Sequence, residues 1–290
     1  MNASNTLRTL MLIAGLAVLP SLAPAQTVED RTQDRVAFPS HKVIANVYSV
    51  GTGTLNSFLF TTPQGHILVN SNFEETLPLL KEAVEKLGFK MTDVKIILGS
   101  HAHADHMSGN AGLKEMTGGA QVVVMEQDVM AYKALKSPTG KVQPVDRTIK
   151  DGETVTLGGT TLTAHLTPGH TRGCTTWTTT VQDGGKNLNV LIACGGLQED
   201  ARLVGNRNYP EISEDFAKSI KIYRSLPADV FLASHAWFYD PAGKYARAQK
   251  SANPNPYIDP AGYKKWVDDM QMNWTRLMAE QKNAPPPPAK

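Results

Sequence analysis

A layered α/β domain is the fold class that the sequence predicts. Three observations predict it: short apolar runs bounded by turn residues, an amphipathic helical segment among them, and a cluster of histidines directly behind a run of the buried-strand type. Chemistry at strand exits is common in layered α/β proteins. With 41% hydrophobic and 19% charged residues over 290 positions, the composition excludes collagenous, coiled-coil and disordered chains. A formal charge of +2 with no basic block gives no footing for nucleic acid or an anionic membrane as partner.

The first element is the apolar run Leu10 to Leu22. It follows Arg8 and ends in Leu22-Ala23-Pro24-Ala25, with the small residues of an A-x-A cleavage site. It is shorter than the ~20 apolar residues that span a bilayer and is broken by Pro20, so it reads as a signal peptide over 1–25, not as an anchor. Removing 25 of 290 residues, Arg8 among them, leaves 265 with a formal charge of +1. The expectation is a periplasmic protein in an oxidising compartment, with one domain over 26–284 and a Pro-rich flexible tail over 285–290.

Within that domain, Val43 to Val50, Leu55 to Phe60 and Ile67 to Val69 are separated by Gly51-Thr52-Gly53 and Pro63-Gln64-Gly65, which predicts three hairpin-linked strands. Glu74 to Leu87 places Leu77, Leu80, Val84 and Leu87 on one helical face, with Gly88 at the C-cap. Val94 to Leu98 and Gln121 to Met125 read as buried strands. Val155 to Leu157, Thr160 to Leu166, Thr175 to Val181 and Leu188 to Ala193 form hairpins around Gly158-Gly159 and Asp183-Gly184-Gly185. Helices cover Glu214 to Ser225 and Pro260 to Glu280. In the second, Asp259 is the N-cap and Tyr263, Trp266, Met270, Trp274 and Leu277 form the stripe that docks on the body.

The informative segment is Ser100-His101-Ala102-His103-Ala104-Asp105-His106, which holds three of the eight histidines. An H-x-H-x-x-H spacing arises by chance roughly 0.006 times in a chain of this composition, so the motif is specific. Residues two apart on an extended segment point the same way, so His101 and His103 can reach one ion. Asp105 and His106, on the turn beyond, diverge from that pair and can reach a second. His170 and His235 follow apolar runs in the same strand-exit manner. Taking His101, His103 and His170 for one ion and Asp105, His106 and His235 for the other leaves open positions on both, the mark of a catalytic metal site. His41 and His66 read as surface or satisfied core residues, and His165 as core or as support for a ligand.

These residues resemble the metallo-β-lactamase superfamily and, within it, the third subclass of class B β-lactamases. The likeness extends to Asn70-Ser71, to Thr163 through Trp177, to Arg202 through Asn206 with Tyr209-Pro210, and to Ser234-His235-Ala236. The resemblance implies an αββα sandwich, two mixed sheets flanked by helices, with two zinc ions held in a groove at the sheet edge by the same six residues. His106 is what points to the third subclass. Related lactonases and glyoxalase-type hydrolases carry a bridging aspartate near the position of Cys194, where this chain has Ala193-Cys194-Gly195-Gly196. Members of the subclass often have a serine that holds the substrate carboxylate where this chain has Gly195; Arg202, Arg207 and Asn206 are the substitutes available. The segment from Met130 to Val145 looks shorter than in several relatives, which would open the groove.

Cys174 and Cys194 each lie ten residues from Gly184, so a simple hairpin sets them opposite one another, within disulfide range. A bond closing such a loop is worth on the order of 3 kcal/mol. The rival role for Cys194 is a metal ligand, which His106 makes unnecessary.

The chemistry expected is hydrolysis of a β-lactam amide in penicillins, cephalosporins and carbapenems. Two zinc ions lower the pKa of a bound water to ~7 and polarise the carbonyl, while Asp105 orients the hydroxide. Phe73 and Trp237 are candidates for the groove lining, with Phe238 and Tyr239 beside them. The protein is expected to act as a monomer on a small-molecule substrate and to confer antibiotic resistance. Another hydrolase on the same fold, such as a lactonase, and a non-catalytic periplasmic zinc-binding protein are the alternatives.

Overall fold

Phe58 and Phe60 face one side of their strand and Leu59 the other, and all three are fully buried. A strand buried on both faces needs a second sheet on one side and helices on the other. That is the arrangement seen in a computed structural model, which describes residues 31–250 and 255–283. The signal peptide expected over 1–25 and the tail expected over 285–290 lie outside the described residues.

The first sheet has seven strands in sequence order: β1 (His41–Ile44), β2 (Val47–Ser49), β3 (Phe58–Thr62), β4 (Gly65–Val69), β5 (Val94–Leu98), β6 (Gln121–Met125) and β7 (Arg147–Ile149). Pairing is antiparallel through β4 and parallel from β4 to β7. The connections carry α1 (Leu77–Lys86), α2 (Ala104–Met107), α3 (Asn110–Met116) and α4 (Val129–Lys133). The second sheet runs β12-β11-β10-β9-β8, from β8 (Thr154–Leu157), β9 (Thr160–Leu166), β10 (Thr175–Asp183), β11 (Lys186–Ala193) and β12 (Val230–Ala233). Only β11 and β12 pair in parallel there, the crossover being α5 (Ile212–Ser225). Then come α6 (Pro241–Gln249) and α7 (Pro260–Asn283).

Side-chain alternation sorts these elements into layers. Phe58, Phe60, Ile67 and Leu98 share a core with Leu162, Ala164 and Trp177 of the second sheet. The alternate residues Leu59, Leu68 and Ile97 pack with Leu77, Leu80 and Val84 of α1 and Leu113 of α3. On the far side, Phe231 of β12 meets Tyr263 and Trp266 of α7 at ring-centroid distances of 5.2 and 5.0 Å. The αββα sandwich is therefore the fold, as the resemblance implied. No helix among the described residues is long and apolar enough to cross a membrane.

The expected strand Val43 to Val50 is two strands. β1 and β2 are joined by Ala45-Asn46, Ala45 having φ +44°, with no Gly or Pro to announce the turn. Asn46 compensates by donating from Nδ2 to the Thr61 carbonyl at 2.9 Å. The helix expected from Glu74 begins as a 3-10 turn (Glu74–Thr76) before α1 and stops near Gly88, whose φ of +85° suits a residue without Cβ. Asp259 accepts from the amide of Gly262 at 2.8 Å, the N-cap contact expected of it. Of the elements not foreseen, α6 is the plainest: Asp240 accepts from the amide of Gly243 at 3.0 Å and Pro241 opens the helix.

Candidate metal centre

The site is built where β4, β5, β9 and β12 end and β10 begins. Asn70, at φ +66°, takes the left-handed turn after β4, and its Oδ1 accepts from the Ser100 amide at 2.8 Å. Ser100 in turn accepts from the Thr175 amide at 2.7 Å, and Trp177 Nε1 donates to the Gly99 carbonyl at 3.0 Å, tying the β5 exit to the second sheet. The Ser71 and Asn72 amides both donate to the His106 carbonyl at 3.0 Å. Asn56 and Ser234 link backbones at 2.9 Å, fixing the β12 exit beside the same turn. The histidine loop thus hangs from four strand ends.

All six expected ligands converge. Nε2 of His170 stands 3.1 Å from Nε2 of His101, and the rings of His101, His103 and His170 are mutually 4.4 to 4.8 Å apart. Nε2 of His106 stands 2.9 Å from Nε2 of His235, and Oδ2 of Asp105 is 3.7 Å from each. Candidate donor atoms lie within 4.8 Å of one another in the set His101, His103, His170 and also in the set His101, Asp105, His106. His101, Asp105, His106 and His235 are buried, His170 is half-buried and His103 is exposed.

Burial pushes the pKa of His101, His106 and His235 well below the ordinary imidazole value and takes His170 down to about 4. In His101 the neighbouring imidazoles add to the effect of burial. Neutral rings with lone pairs aimed at a common point are the state that a borderline cation requires. The carbonyl of Gly196 can only accept, so its 3.2 Å contact with Nδ1 of His170 fixes the proton there and leaves Nε2 free to ligate. Four imidazoles, a fifth at the surface and one carboxylate therefore fit a pair of zinc-like ions, three donors each.

Two neighbours of the site were not legible in the sequence. Asp128, buried beside α4, accepts from the amides of Ala102 and Gly173 at 2.8 and 2.6 Å and from Oγ1 of Thr171 at 2.8 Å, stapling the His101 loop to the His170 loop. Arg31 brings Nη1 to 3.6 Å from Oδ2 of Asp105. Its segment is held by Thr54, which donates to the buried Asp34, and by Gly53, whose amide donates to the Val36 carbonyl at 2.9 Å.

The remaining expected residues fall as follows. An ideal Cβ at Gly195 would lie 2.9 Å from Cγ of His170, so this glycine packs against the cluster. Trp237 stacks on His235 with centroids 3.9 Å apart, and Phe73 is half-buried under the Arg35 guanidinium at 4.2 Å. Arg202 is exposed and donates to the Val204 carbonyl at 3.2 Å, Asn206 serves its own loop by accepting from the amides of Asn208 and Tyr209, and Arg207 is exposed. His41 is a satisfied core residue, 2.5 Å from the Tyr257 hydroxyl, and His66 is buried. His165 is neither core nor support for a ligand: it is half-buried, 2.7 Å from Oγ1 of Thr178, and lines a cavity of about 480 Å³ with Thr161, Thr163 and Asn189.

Cys174 and Cys194 form a disulfide, with Cα atoms 5.7 Å apart. The expected register is off by one residue. Asp183 pairs with Lys186 around a two-residue Gly184-Gly185 turn, so continuing the ladder sets Cys194 opposite Thr175, and Cys174 reaches it from just outside the strand. Sγ of Cys194 lies 3.5 Å from Nδ1 of His101, on the ring edge away from the His170 contact.

Comparison with known proteins agrees with this geometry. The family model for the metallo-beta-lactamase superfamily matches residues 50–183. The native FEZ-1 metallo-beta-lactamase from Legionella gormanii superposes with a TM-score of 0.80 at 41% identity, covering 86% of this chain and 99% of that one. BJP-1, a subclass B3 metallo-beta-lactamase of Bradyrhizobium japonicum, gives 0.78 at 36% identity, covering 87% and 97%. A hydroxyacylglutathione hydrolase of Hyphomonas neptunium is 35% identical over 92 residues, 31% of this chain and 29% of its own length; the chain spans about a third of the curated relatives it matches. On the strength of the fold, the converging histidines and identity sustained across a whole subclass B3 structure, the chain belongs to the metallo-beta-lactamase superfamily, alongside its B3 members.

Proposed function

We propose that the protein hydrolyses the β-lactam amide of penicillins, cephalosporins and carbapenems with two zinc ions, and so confers antibiotic resistance. The observation that carries this reading is the pairing of two three-residue donor sets, His101, His103, His170 and Asp105, His106, His235, in one groove. The likeness to FEZ-1 over 86% of the chain supports it. Bound zinc supplies Lewis acidity toward the lactam carbonyl and a water acidic enough to ionise near neutral pH.

The residues of the chain do the rest. His101, His103 and His170 would hold one ion and Asp105, His106 and His235 the other, so that the first could polarise the lactam carbonyl and the second could stabilise negative charge on the departing nitrogen. Asp105, whose Oδ2 lies 3.7 Å from the His106 and His235 nitrogens and 3.6 Å from Arg31, would orient the nucleophile by accepting its hydrogen bond. Phe73 and Trp237 provide apolar surface for the substrate's side groups. The protein acts in the periplasm after loss of residues 1–25, a reading that rests on the leader sequence.

A second reading has its own support: the curated relatives matched over about a third of the chain include thioester hydrolases of the hydroxyacylglutathione type. The test is carbapenem turnover by the mature protein in zinc-supplemented buffer, with and without a chelator, beside lactone and thioester panels. Chelator-sensitive loss of the carbapenem is the expected result. A folded, zinc-loaded sample that cleaves only a lactone or thioester would overturn the β-lactamase reading, and one that cleaves nothing would leave a zinc-binding protein.

A further inference from the structure

The two donor sets are supported differently at their outer nitrogens. A histidine that ligates a metal through one ring nitrogen ordinarily donates from the other to a carboxylate or carbonyl, which fixes the tautomer and the plane of the ring. In the first set two of the three rings have a partner there: Nδ1 of His170 faces the Gly196 carbonyl at 3.2 Å and Nδ1 of His101 faces the Ser100 hydroxyl at 3.1 Å. In the second set, Nδ1 of His106 and Nδ1 of His235 are both buried with no hydrogen-bond partner among the described residues.

His106 is wedged between rings, with His101 at 4.3 Å and His235 at 4.4 Å, so packing sets its orientation. His235 has one large flat neighbour. The indole of Trp237 lies 3.9 Å away and 17° from parallel, while the Phe238 ring meets it edge-on at 6.0 Å. The stack is itself anchored. His235 opens the 3-10 turn Ala236–Phe238, and the Ala236 amide donates to the Thr54 carbonyl at 2.9 Å, which fixes the backbone between the two rings. An imidazole that donates its lone pair to a dication becomes electron-poor, and an electron-rich indole face attracts such a ring more strongly than a neutral one.

We propose that Trp237 is a positioning residue for the second metal site, its indole face setting the plane of His235 in place of a hydrogen bond. The inference rests on the two-ion reading above and adds to it an asymmetry: His106 and His235 of the second set are held by ring packing, whereas His101 and His170 of the first are held by hydrogen bonds at Nδ1.

The test is stepwise titration of chelator-treated protein with cobalt(II), read by visible absorbance, for the wild type, Trp237→Ala and Trp237→Phe. The expected outcome in Trp237→Ala is an unchanged first equivalent and a second that binds about 10- to 100-fold more weakly with an altered spectrum. Trp237→Phe, which keeps a stacking face, restores most of the second affinity. Should the wild type take up two ions and Trp237→Ala match it, the inference fails while the two-ion reading stands. A folded wild type that takes up only one ion would overturn both. Equal weakening of the two equivalents in Trp237→Ala would show a general structural role and would also overturn the inference.

Discussion

The guanidinium of Arg31 stands 3.6 Å from the carboxylate of Asp105, which places a cation against the donors expected to bind a dication. Its charge is felt at His103, His106, His170 and His235, where it opposes protonation. The same repulsion must oppose a metal ion. Arg31→Ala is therefore expected to tighten zinc binding, by about threefold to tenfold at low salt, since the Arg31 side chain is half exposed and partly screened. Competition with a chromophoric chelator measures this. The gain should shrink as salt rises, and equal affinities at low salt would refute it.

Restoring the serine that relatives often carry after the position of Cys194 is expected to harm this protein. A Cβ at residue 195 falls 2.9 and 3.0 Å from ring carbons of His170, whose Nδ1 is tied to Gly196, so the ring must move off its donor position. Gly195→Ser should weaken metal binding at least about tenfold. Unchanged affinity with improved turnover of carboxylate-bearing substrates would show that the pocket yields.

Asp128 satisfies three donors from two loops in a buried position. Asp128→Ala leaves the Ala102 and Gly173 amides and the Thr171 hydroxyl without their acceptor, at a cost of about 2 to 4 kcal/mol. Denaturant midpoints of chelator-treated protein isolate this loss from any metal effect. A difference below about 1 kcal/mol would mean that the loops hold without the staple.

The lowered imidazole pKa values fix a pH dependence for the metal-free protein. Above pH 6.5 the cluster histidines are neutral in both folded and unfolded chains and contribute no slope. As the pH falls from 6.5 toward 4, the unfolded chain takes up protons that folded His101, His106, His170 and His235 refuse, so stability is lost through that window. Denaturant midpoints at pH 7.5 and pH 5 should differ in that direction. A midpoint that rises or stays level on acidification would contradict the burial of these rings.

The spacing of His101, His103, Asp105 and His106 was legible because four donor residues in six positions have no structural excuse, and His170 and His235 because each follows an apolar strand. Asp128 was not legible: it stands in the polar stretch Glu126-Gln127-Asp128 with no motif to single it out, and only the fold shows it buried and accepting from the Ala102 amide of the histidine loop. The β1–β2 turn lacked any glycine or proline. The cysteine register slipped by one because the loop has two residues, so its centre falls between Gly184 and Gly185 and not on either. Stacking of Trp237 on His235 depends on the 3-10 turn between them, which no apolar periodicity announces.

His235 follows β12, the last strand among the described residues, and β12 can pair with β11 only after α5 has crossed over the sheet. A nascent chain that has emerged as far as residue 106 therefore carries four of the six donors but no clasp, because the other two arrive from the opposite sheet. Small zinc domains use the ion to organise an unstructured peptide; here long-range pairing must come first, and such pairing is slow. Metal uptake by the six proposed donors would then certify completed folding. A zinc indicator followed during refolding should lag behind the recovery of sheet structure, and simultaneous traces would mean that the ion recruits the second sheet.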